Sequence, residues 1–550
     1  MAGNSDVRGD GARKEQVRRE NNGEAQMARA TRCLWVACVS FLFFSACSGQ
    51  ERPEPEFYGM YLWTGDVQKY ADDLAQLGVK WLNVGGWERN PSETDAAVLE
   101  SARRGFHLVP RLFMAEISHD RTMPLNEALT KWRALVAGQV ERYGQDGALW
   151  KEHPEVKPQP IRYWCIWNEP NIEFLSRLEG LERPVLYAKI LLAASEEIRR
   201  RDPKAYLIAF NTAGGTPRTG GLNPDGMYER IRYVGWRKFI RDTVESAGTA
   251  CFDGVATHPY TQPRSPEEGD VIGGLRMVRE LAAEQKFADK GIWFTEVGFA
   301  LEYPRNLNVR DERQQACFMT RLWAIAAAHG VVHIDPMFIE DIIYGPDNSR
   351  RSFGFFVKPG QWRQQAQATR VMSRLVPDPR KSPVIVSEEP SAVWAYRFLD
   401  WKGRELLMAW SAGETELVRE FPVKGTVHTL VSMLGNASSL RTVDGRVTLT
   451  LCEAPVYVVQ AGLEETKALI AFGSHRTTMP VLGGREWMAE VEKVCRVREG
   501  AGAGSDIRSA GWMAAVSRKL GVLDSQGHGP TPGSDEWVRA VHRKAFRAEP

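Results

Sequence analysis

Between residues 56 and 375, short apolar, β-rich runs alternate with longer stretches whose apolar residues recur at helical spacing, the pattern of repeated βα units. Eight runs read as strands: Phe57 to Trp63, Trp81 to Gly85, His107 to Leu112, Arg162 to Trp167, Ala205 to Phe210, Gly254 to Thr257, Ile292 to Thr295 and His333 to Phe338. The segments between and after them predict helices over Val67 to Leu77, Leu125 to Tyr143, Val185 to Arg201, Tyr228 to Val244, Gly274 to Gln285, Glu312 to His329 and Gln361 to Leu375. Eight parallel strands with covering helices make a (β/α)8 TIM barrel, here expected over residues 56–376, with its chemistry at the C-terminal strand ends.

After Pro377-Asp378-Pro379 the helical period stops and apolar and polar residues alternate, as in Val393-Trp394-Ala395-Tyr396-Arg397-Phe398 and Val447-Thr448-Leu449-Thr450-Leu451. Turns such as Trp401-Lys402-Gly403 and Val443-Asp444-Gly445 separate these runs, so residues 383–462 predict a β-sandwich. From 463 to 550 the pattern dissolves into Gly-, Ala- and Arg-containing sequence, which predicts a mostly disordered tail with at most short helices.

The N-terminus reads as an export signal over residues 27–47. Met27 opens a basic stretch with Arg29 and Arg32, and an apolar run from Leu34 to Phe44 follows, too short to span a membrane. It ends in Phe44-Ser45-Ala46-Cys47, similar to a bacterial lipobox in which the Cys becomes the lipidated N-terminus after cleavage. Lipidation at Cys47 predicts an extracytoplasmic lipoprotein held at the membrane, on the periplasmic side or at the cell surface, by its lipid alone. Residues 1–26 are polar and charged, unlike a signal peptide, and read as an upstream segment that need not be translated, with Met27 as the true start.

The 550-residue length exceeds what one core organises, in keeping with a barrel plus a smaller module. Its 71 basic and 69 acidic residues leave a net charge of +2 with no basic stripe, which argues against a nucleic-acid partner. Eighteen Trp, 14 Tyr and 22 Phe suit sugar stacking and a large core equally well. Beyond the signal region, Cys165, Cys251, Cys317, Cys452 and Cys495 lie far apart, without CxxC or zinc spacing, and are predicted to be free thiols. No metal and no organic cofactor is implied, because GxSxG, GxxxxGK, strand-borne GxGxxG and HExxH motifs are all missing from the sequence.

Two glutamates fall where barrel chemistry is done. Glu169 stands in Ile166-Trp167-Asn168-Glu169-Pro170-Asn171 directly after the fourth strand, and Glu296 in Trp293-Phe294-Thr295-Glu296-Val297-Gly298-Phe299 directly after the seventh. Strands four and seven face one another across a barrel mouth, so the two carboxylates should converge. Retaining cleavage of a glycosidic bond needs such a pair, about 5–5.5 Å apart: one acid to protonate the leaving oxygen, one carboxylate to attack the anomeric carbon.

In these motifs the chain resembles the clan A glycoside hydrolases, which carry the acid/base in an Asn-Glu pair after strand four and the nucleophile after strand seven. Trp167-Asn168-Glu169-Pro170-Asn171 and His258-Pro259-Tyr260 are most similar to glycoside hydrolase family 39 and related exopolysaccharide hydrolases, over residues 56–462. The resemblance implies Glu169 as acid/base and Glu296 as nucleophile. It also implies that Asn168 binds the sugar 2-hydroxyl, that His258 lies near the nucleophile and that Tyr260 holds the Glu296 carboxylate. Trp63, Trp87 and Arg111 fall at strand ends, where sugar contact is conceivable, but each reads as structural. The eighth strand departs from the clan pattern, since His333-Ile334-Asp335-Pro336-Met337-Phe338 has no Trp or Tyr to serve as a sugar platform.

The expected activity is retaining O-glycoside hydrolysis of an extracytoplasmic oligo- or polysaccharide. A non-catalytic carbohydrate-binding protein on the same barrel and a transglycosidase are the alternatives. Sugar, linkage and oligomeric state are not encoded in these motifs.

Overall fold

The computed structural model describes residues 52–546 apart from short stretches, of which 218–223, 472–484 and 498–508 are the longest. The upstream segment, the signal and Cys47 lie outside the described residues. Eight parallel strands form one sheet in sequential order: β1 (Gly59–Trp63), β2 (Trp81–Gly85), β3 (His107–Leu112), β4 (Tyr163–Ile166), β5 (Tyr206–Ala213), β6 (Gly254–His258), β7 (Gly291–Val297) and β8 (Val331–Pro336). A parallel bridge between Tyr58 and Ile334 joins the last strand to the first and closes the ring. Each strand falls within two or three residues of its predicted span, because an interior strand buried on both faces leaves a nearly continuous apolar run in the sequence.

Helices Leu125–Tyr143, Arg183–Arg201, Val271–Glu284, Glu312–Ala328 and Gln364–Leu375 cover the ring close to their predicted positions. Two predicted helices are corrected. Val67 to Leu77 breaks at Tyr70 into Thr64–Lys69 and Ala71–Leu77. Tyr228 to Val244 begins as extended chain, and its helix runs only over Trp236–Ala247 behind Gly235. The Asn171 carboxamide and backbone hold Val234 extended through Asn171 Nδ2 to Val234 O (3.0 Å) and Val234 N to Asn171 O (3.0 Å). A tertiary bond from the β4 loop thus overrides the local helical pattern.

The barrel interior is layered. Near the N-terminal ends, Trp81 meets Tyr163 edge-on at 4.9 Å, and Trp293, Cys165 and Ala256 complete an apolar plug. Above it, towards the C-terminal ends, Asn83, Arg111, Thr295 and Asp335 are buried and polar. Gly59 makes room there, since a Cβ at this position would stand 2.2 Å from Asp335 Oδ1.

Eight further strands form the second domain: β9 (Val384–Glu388), β10 (Val393–Leu399), β11 (Glu405–Ser411), β12 (Leu417–Pro422), β13 (His428–Ser432), β14 (Ala437–Leu440), β15 (Arg446–Leu451) and β16 (Val456–Val459). Six of them make a sheet in the order β9-β10-β11-β16-β13-β14, and β12 pairs with β15 opposite it. Along β10 the side chains alternate faces. Val393 and Ala395 join Phe421, Val447 and Leu449 between the sheets, while Trp394, Tyr396 and Phe398 merge with the barrel core. Arg321, only 1% exposed, donates to Glu453 O (2.7 Å) and Ser411 O (3.1 Å), and Trp410 Nε1 donates to Glu267 (2.7 Å).

The expected disorder of residues 463–550 is corrected by helices Leu463–Ile470, Arg485–Cys495, Ala510–Leu520 and Asp535–Phe546. The last three share a small core of their own, built on Trp487, Trp512 and Trp537 with Val491, Val516 and Val541. Each tryptophan follows the previous one by 25 residues and each valine stands four residues after its tryptophan, so the module is a threefold repeat with one helical face per unit. Gly- and Ser-containing connections between the units dilute that pattern in any long window.

The two additions should therefore respond differently to truncation. Ending the chain after Ala471 leaves the main core intact and should shift Tm by no more than about 3 °C. Deleting 383–462 bares the barrel surface that Trp394, Tyr396 and Trp410 cover and should cause aggregation. Calorimetry and size-exclusion chromatography of the two variants check this. Among the described residues no helix is long and apolar enough to cross a membrane, and the five described cysteines are free thiols.

Candidate active site

Chain geometry after β4 aims Glu169 into the mouth. Trp167 N donates to Leu112 O (2.9 Å), and its buried indole donates to Phe174 O (2.9 Å) while packing on Trp132 and Phe113. Trp167 and Glu169 both have positive φ (68° and 42°), and Glu169 N donates to the carbonyl of Asn211, itself at φ 44°. Left-handed non-glycine residues cost on the order of 1 kcal/mol each and persist where surrounding contacts over-determine them. Here the turn places the Glu169 carboxyl over the ring instead of outside it.

Glu296 is the sixth residue of β7, and its side chain is buried between two donors. Tyr260 Oη donates to Glu296 Oε1 at 2.9 Å, and Arg111 Nη1 donates to Glu296 Oε2 at 2.9 Å. Arg111 is 2% exposed, lies 4.2 Å from the Tyr61 ring centroid, and donates through Nη2 to Thr295 O (2.8 Å) and through Nη1 to Asn168 Oδ1. Burial pushes the Glu296 carboxyl up, but the His258 charge, Arg111 and the Tyr260 hydroxyl outweigh it and hold the group below the usual carboxylate range. Glu169 goes the other way: burial, with the Glu296 charge added, raises its carboxyl despite the hydrogen bond from His258. The site thus pushes one carboxyl towards its acid form and its neighbour towards its anion.

His258 joins them. Its Nδ1 is 2.9 Å from Glu169 Oε1 and 4.0 Å from Glu296 Oε2, and its Nε2 is 3.2 Å from Thr295 Oγ1. Asn211 Nδ2 donates to Ile166 O (3.1 Å), which leaves Asn211 Oδ1 to accept from Thr295 Oγ1 (2.8 Å) and Cys165 Sγ (3.0 Å). Thr295 spends its hydrogen on Asn211, so its oxygen accepts from His258 Nε2. This network assigns a ring proton to Nε2 and turns Nδ1 towards the Glu169 carboxyl.

The structure brings together all five residues named from the sequence as chemical: Glu169, Glu296, Asn168, His258 and Tyr260. His258 contacts the Glu169 carboxyl more closely than the Glu296 one. Arg111, read as structural, is instead the buried cation on Glu296, because an arginine facing the interior at a strand end must find a carboxylate. Thr295 and Asn211 were not singled out at all; nothing in their local sequence marks them, since their roles arise from the meeting of β5, β6 and β7. Trp87 is structural, 1% exposed with Nε1 on Gln139. Trp63, in contrast, lines the cavity and is 36% exposed.

The cavity above the carboxylates measures about 390 Å³, and its walls are mainly aromatic and apolar, among them Phe113, Phe174, Tyr303, Met337, Phe338 and Phe353. Met337 and Phe338 occupy the position after β8 where no Trp or Tyr was found, and Phe338 packs on Trp63 at 5.3 Å. Ligand atoms of Glu169, His258 and Glu296 lie within 4.8 Å of one another, a spacing a small cation could use. The Arg111 guanidinium already supplies positive charge at that carboxylate.

Barrel, sandwich and the placement of two glutamates at strands four and seven give this chain the fold of the clan A glycoside hydrolases. Among solved structures it is similar to a family 39 glycoside hydrolase from Bacteroides cellulosilyticus WH2, at 17% identity and a TM-score of 0.54 over 74% of this chain and 81% of that one. It is also similar to a family 51 α-L-arabinofuranosidase from Bifidobacterium longum, at 14% identity and a TM-score of 0.51 over 74% and 96%. No protein-family model matches the sequence, and no curated protein does.

Proposed function

We propose that the chain is a retaining glycosidase that hydrolyses an extracytoplasmic oligo- or polysaccharide by double displacement. The observation that carries this reading is a pair of carboxyls, Glu169 part-buried and Glu296 buried, with oxygens within 4.8 Å, one pushed towards its acid form and the other towards its anion. That separation suits direct attack on the anomeric carbon, whereas inversion needs about 6.5–9.5 Å to admit a water. Glu169 donates its proton to the departing oxygen as Glu296 attacks. Glu169, now ionised, then takes a proton from the water that cleaves the glycosyl ester.

Asn168, held by Arg111 through Oδ1, keeps its Nδ2 for the sugar 2-hydroxyl, a contact that tightens as charge develops on the ring. Turnover of a panel of aryl glycosides, with product configuration read by NMR, tests the reading. Aglycone release with retention supports it. Sugar binding without release would mean a carbohydrate-binding protein, and transfer to an added alcohol in preference to water a transglycosidase.

The site of action follows from the leader. Lipid on Cys47 would anchor the protein at the outer side of the cytoplasmic membrane or at the cell surface, several acyl chains holding it firmly. Cys47→Ala should move the protein from the membrane pellet to the soluble fraction. A wild-type protein recovered entirely in the soluble fraction would contradict the anchor.

A further inference from the structure

Glu296 is held from two sides, and the two sides differ in chemistry. Its Oε2 accepts from Arg111 Nη1 at 2.9 Å, and the same nitrogen donates to Asn168 Oδ1, so this oxygen marks the polar flank of the site. Its Oε1 accepts from Tyr260 Oη, which also touches Met337 Sδ, and the Tyr260 ring packs on Phe353 at 5.9 Å. Phe353 in turn meets the Tyr303 ring edge-on at 5.8 Å. Leu307, four residues further along the same loop, lines the cavity at its rim with 40% of its surface exposed. The second flank is therefore an apolar wall that starts beside Glu296 and climbs to the mouth.

Hydrogen bonds fix that wall in place. Met337 N donates to Val297 O (2.7 Å), Leu301 N to Ser352 O (2.9 Å) and Ser352 N to Glu302 O (3.1 Å), which tie the loop after β7 to the segment after β8. The buried Gln315 carboxamide bridges the same two segments through Phe299 O (2.6 Å) and Ser352 O (3.2 Å). Met337 and Leu307 offer no flat face to a sugar ring, no donor to a hydroxyl and at most the weak acceptor of a thioether. A hydroxyl pressed against them gives up water for nothing comparable, whereas a methyl or methylene placed there leaves water at a gain.

The position of the reacting sugar decides which of its atoms meet the wall. With the anomeric carbon over Glu296 and the 2-hydroxyl on Asn168, C2 sits on the Arg111 side. The other ring neighbour of the anomeric carbon is the ring oxygen, which turns to the Tyr260 side with C5 beyond it. We infer that the wall of Met337, Phe353 and Leu307 reads the substituent at C5, and that the substrate carries an apolar group there, the methyl of a 6-deoxy sugar or an acyl chain esterified at O6, in place of a free hydroxymethyl. The inference rests on the sugar placement proposed above. These three residues are specificity-determining and take no part in breaking the bond.

Calorimetry of the whole protein with thioglycosides tests this, because a sulfur link resists hydrolysis and binding is then read apart from turnover. Each set holds a parent hexoside, its 6-deoxy form and its 6-O-butanoyl ester, in the gluco, galacto and manno configurations of both the D and L series and as both anomers. In at least one set the deoxy or the acylated member should bind about tenfold or more tightly than the parent. Met337→Gln puts an amide beside C6 and should shrink that preference about tenfold. Leu307→Gln should weaken the acyl ester alone, since a methyl does not extend to the rim. Thermal melting checks that both variants remain folded.

The two modified members of each set show whether the wall takes a methyl or a longer chain. Parent hexosides that bind as tightly as their 6-modified forms in every set overturn the inference, as does a preference left unmoved in a folded Met337→Gln variant. Should that variant fail to fold, the wild-type panel decides alone. A protein that shows the preference yet releases no aglycone from aryl glycosides keeps this inference and loses the hydrolase reading. One that cleaves aryl glycosides while ignoring C6 does the reverse.

Discussion

Glu296→Ala should lower turnover of every glycoside by at least about 10⁴-fold, because no group remains to attack the anomeric carbon. Glu169→Ala should depend on the leaving group. A poor alcohol loses about 10²–10⁴-fold without its proton donor, while an activated phenol departs unaided and leaves the glycosyl ester on Glu296 to accumulate. Azide needs no general base and fits where the Glu169 carboxyl was, so it should restore turnover in that variant and give a glycosyl azide of retained configuration. In Glu296→Ala azide attacks the substrate itself, and its product should be inverted. NMR of the two azides reads the outcome directly, and exchanged configurations would reverse the roles assigned to the two residues.

Arg111→Ala should be the most damaging substitution among residues that donate no proton to substrate and form no bond with it. The guanidinium serves Glu296, Asn168 and the Thr295 carbonyl together, and removing it strands a buried carboxylate. Breaking such a pair costs about 3–5 kcal/mol of stability at neutral pH. The sign with pH follows from Glu296. Its carboxyl lies below the ordinary range in the native protein, so the stability it contributes is present above the unfolded carboxyl range and is lost as pH falls through the folded value.

Without Arg111 that carboxyl rises and the orphaned charge is relieved by protonation, so the deficit of the variant should shrink in acid. The proposed double displacement needs Glu296 ionised and Glu169 protonated, so the pH–rate profile should be a bell. Its acidic limb should move to higher pH in Arg111→Ala. Arg111→Lys should recover part of the stability but not the rate, because an ammonium cannot reach three partners in a plane. Denaturant melts and kcat/KM profiles across pH separate these effects.

The barrel was legible because its strands are short apolar runs at even spacing and its helices long amphipathic ones, so period and length agree. Where they disagreed with tertiary contacts, the contacts won: Asn171 holds Val234 extended inside a stretch that reads as helix from Tyr228. The C-terminal module was missed for a different reason. Its apolar residues sit on one face of each short helix, and the connections between helices average that face away, yet Trp487, Trp512 and Trp537 at 25-residue spacing carried the repeat in plain view.

At the site, Glu169 and Glu296 were readable because each stands near the C-terminal end of a strand within a distinctive run of neighbours. Asn211 and Thr295 were not, because a residue that fixes the tautomer of His258 through two hydrogen bonds needs no local motif. Arg111 was visible but undervalued. An inward-facing arginine beside a glutamate in the same barrel layer is itself a signal.

The most direct test of the central claim is intact-protein and peptide mass spectrometry after incubation with 2-deoxy-2-fluoro glycosides bearing an activated leaving group, drawn from the sugars the protein turns over. Fluorine at C2 slows both steps, the good leaving group keeps the first one moving, and a covalent glycosyl-enzyme should build up. The account predicts one added glycosyl unit, mapped to Glu296 and absent from Glu296→Ala. A label on Glu169 or elsewhere, or unlabelled protein that converts the parent glycoside to product of inverted configuration, would contradict it.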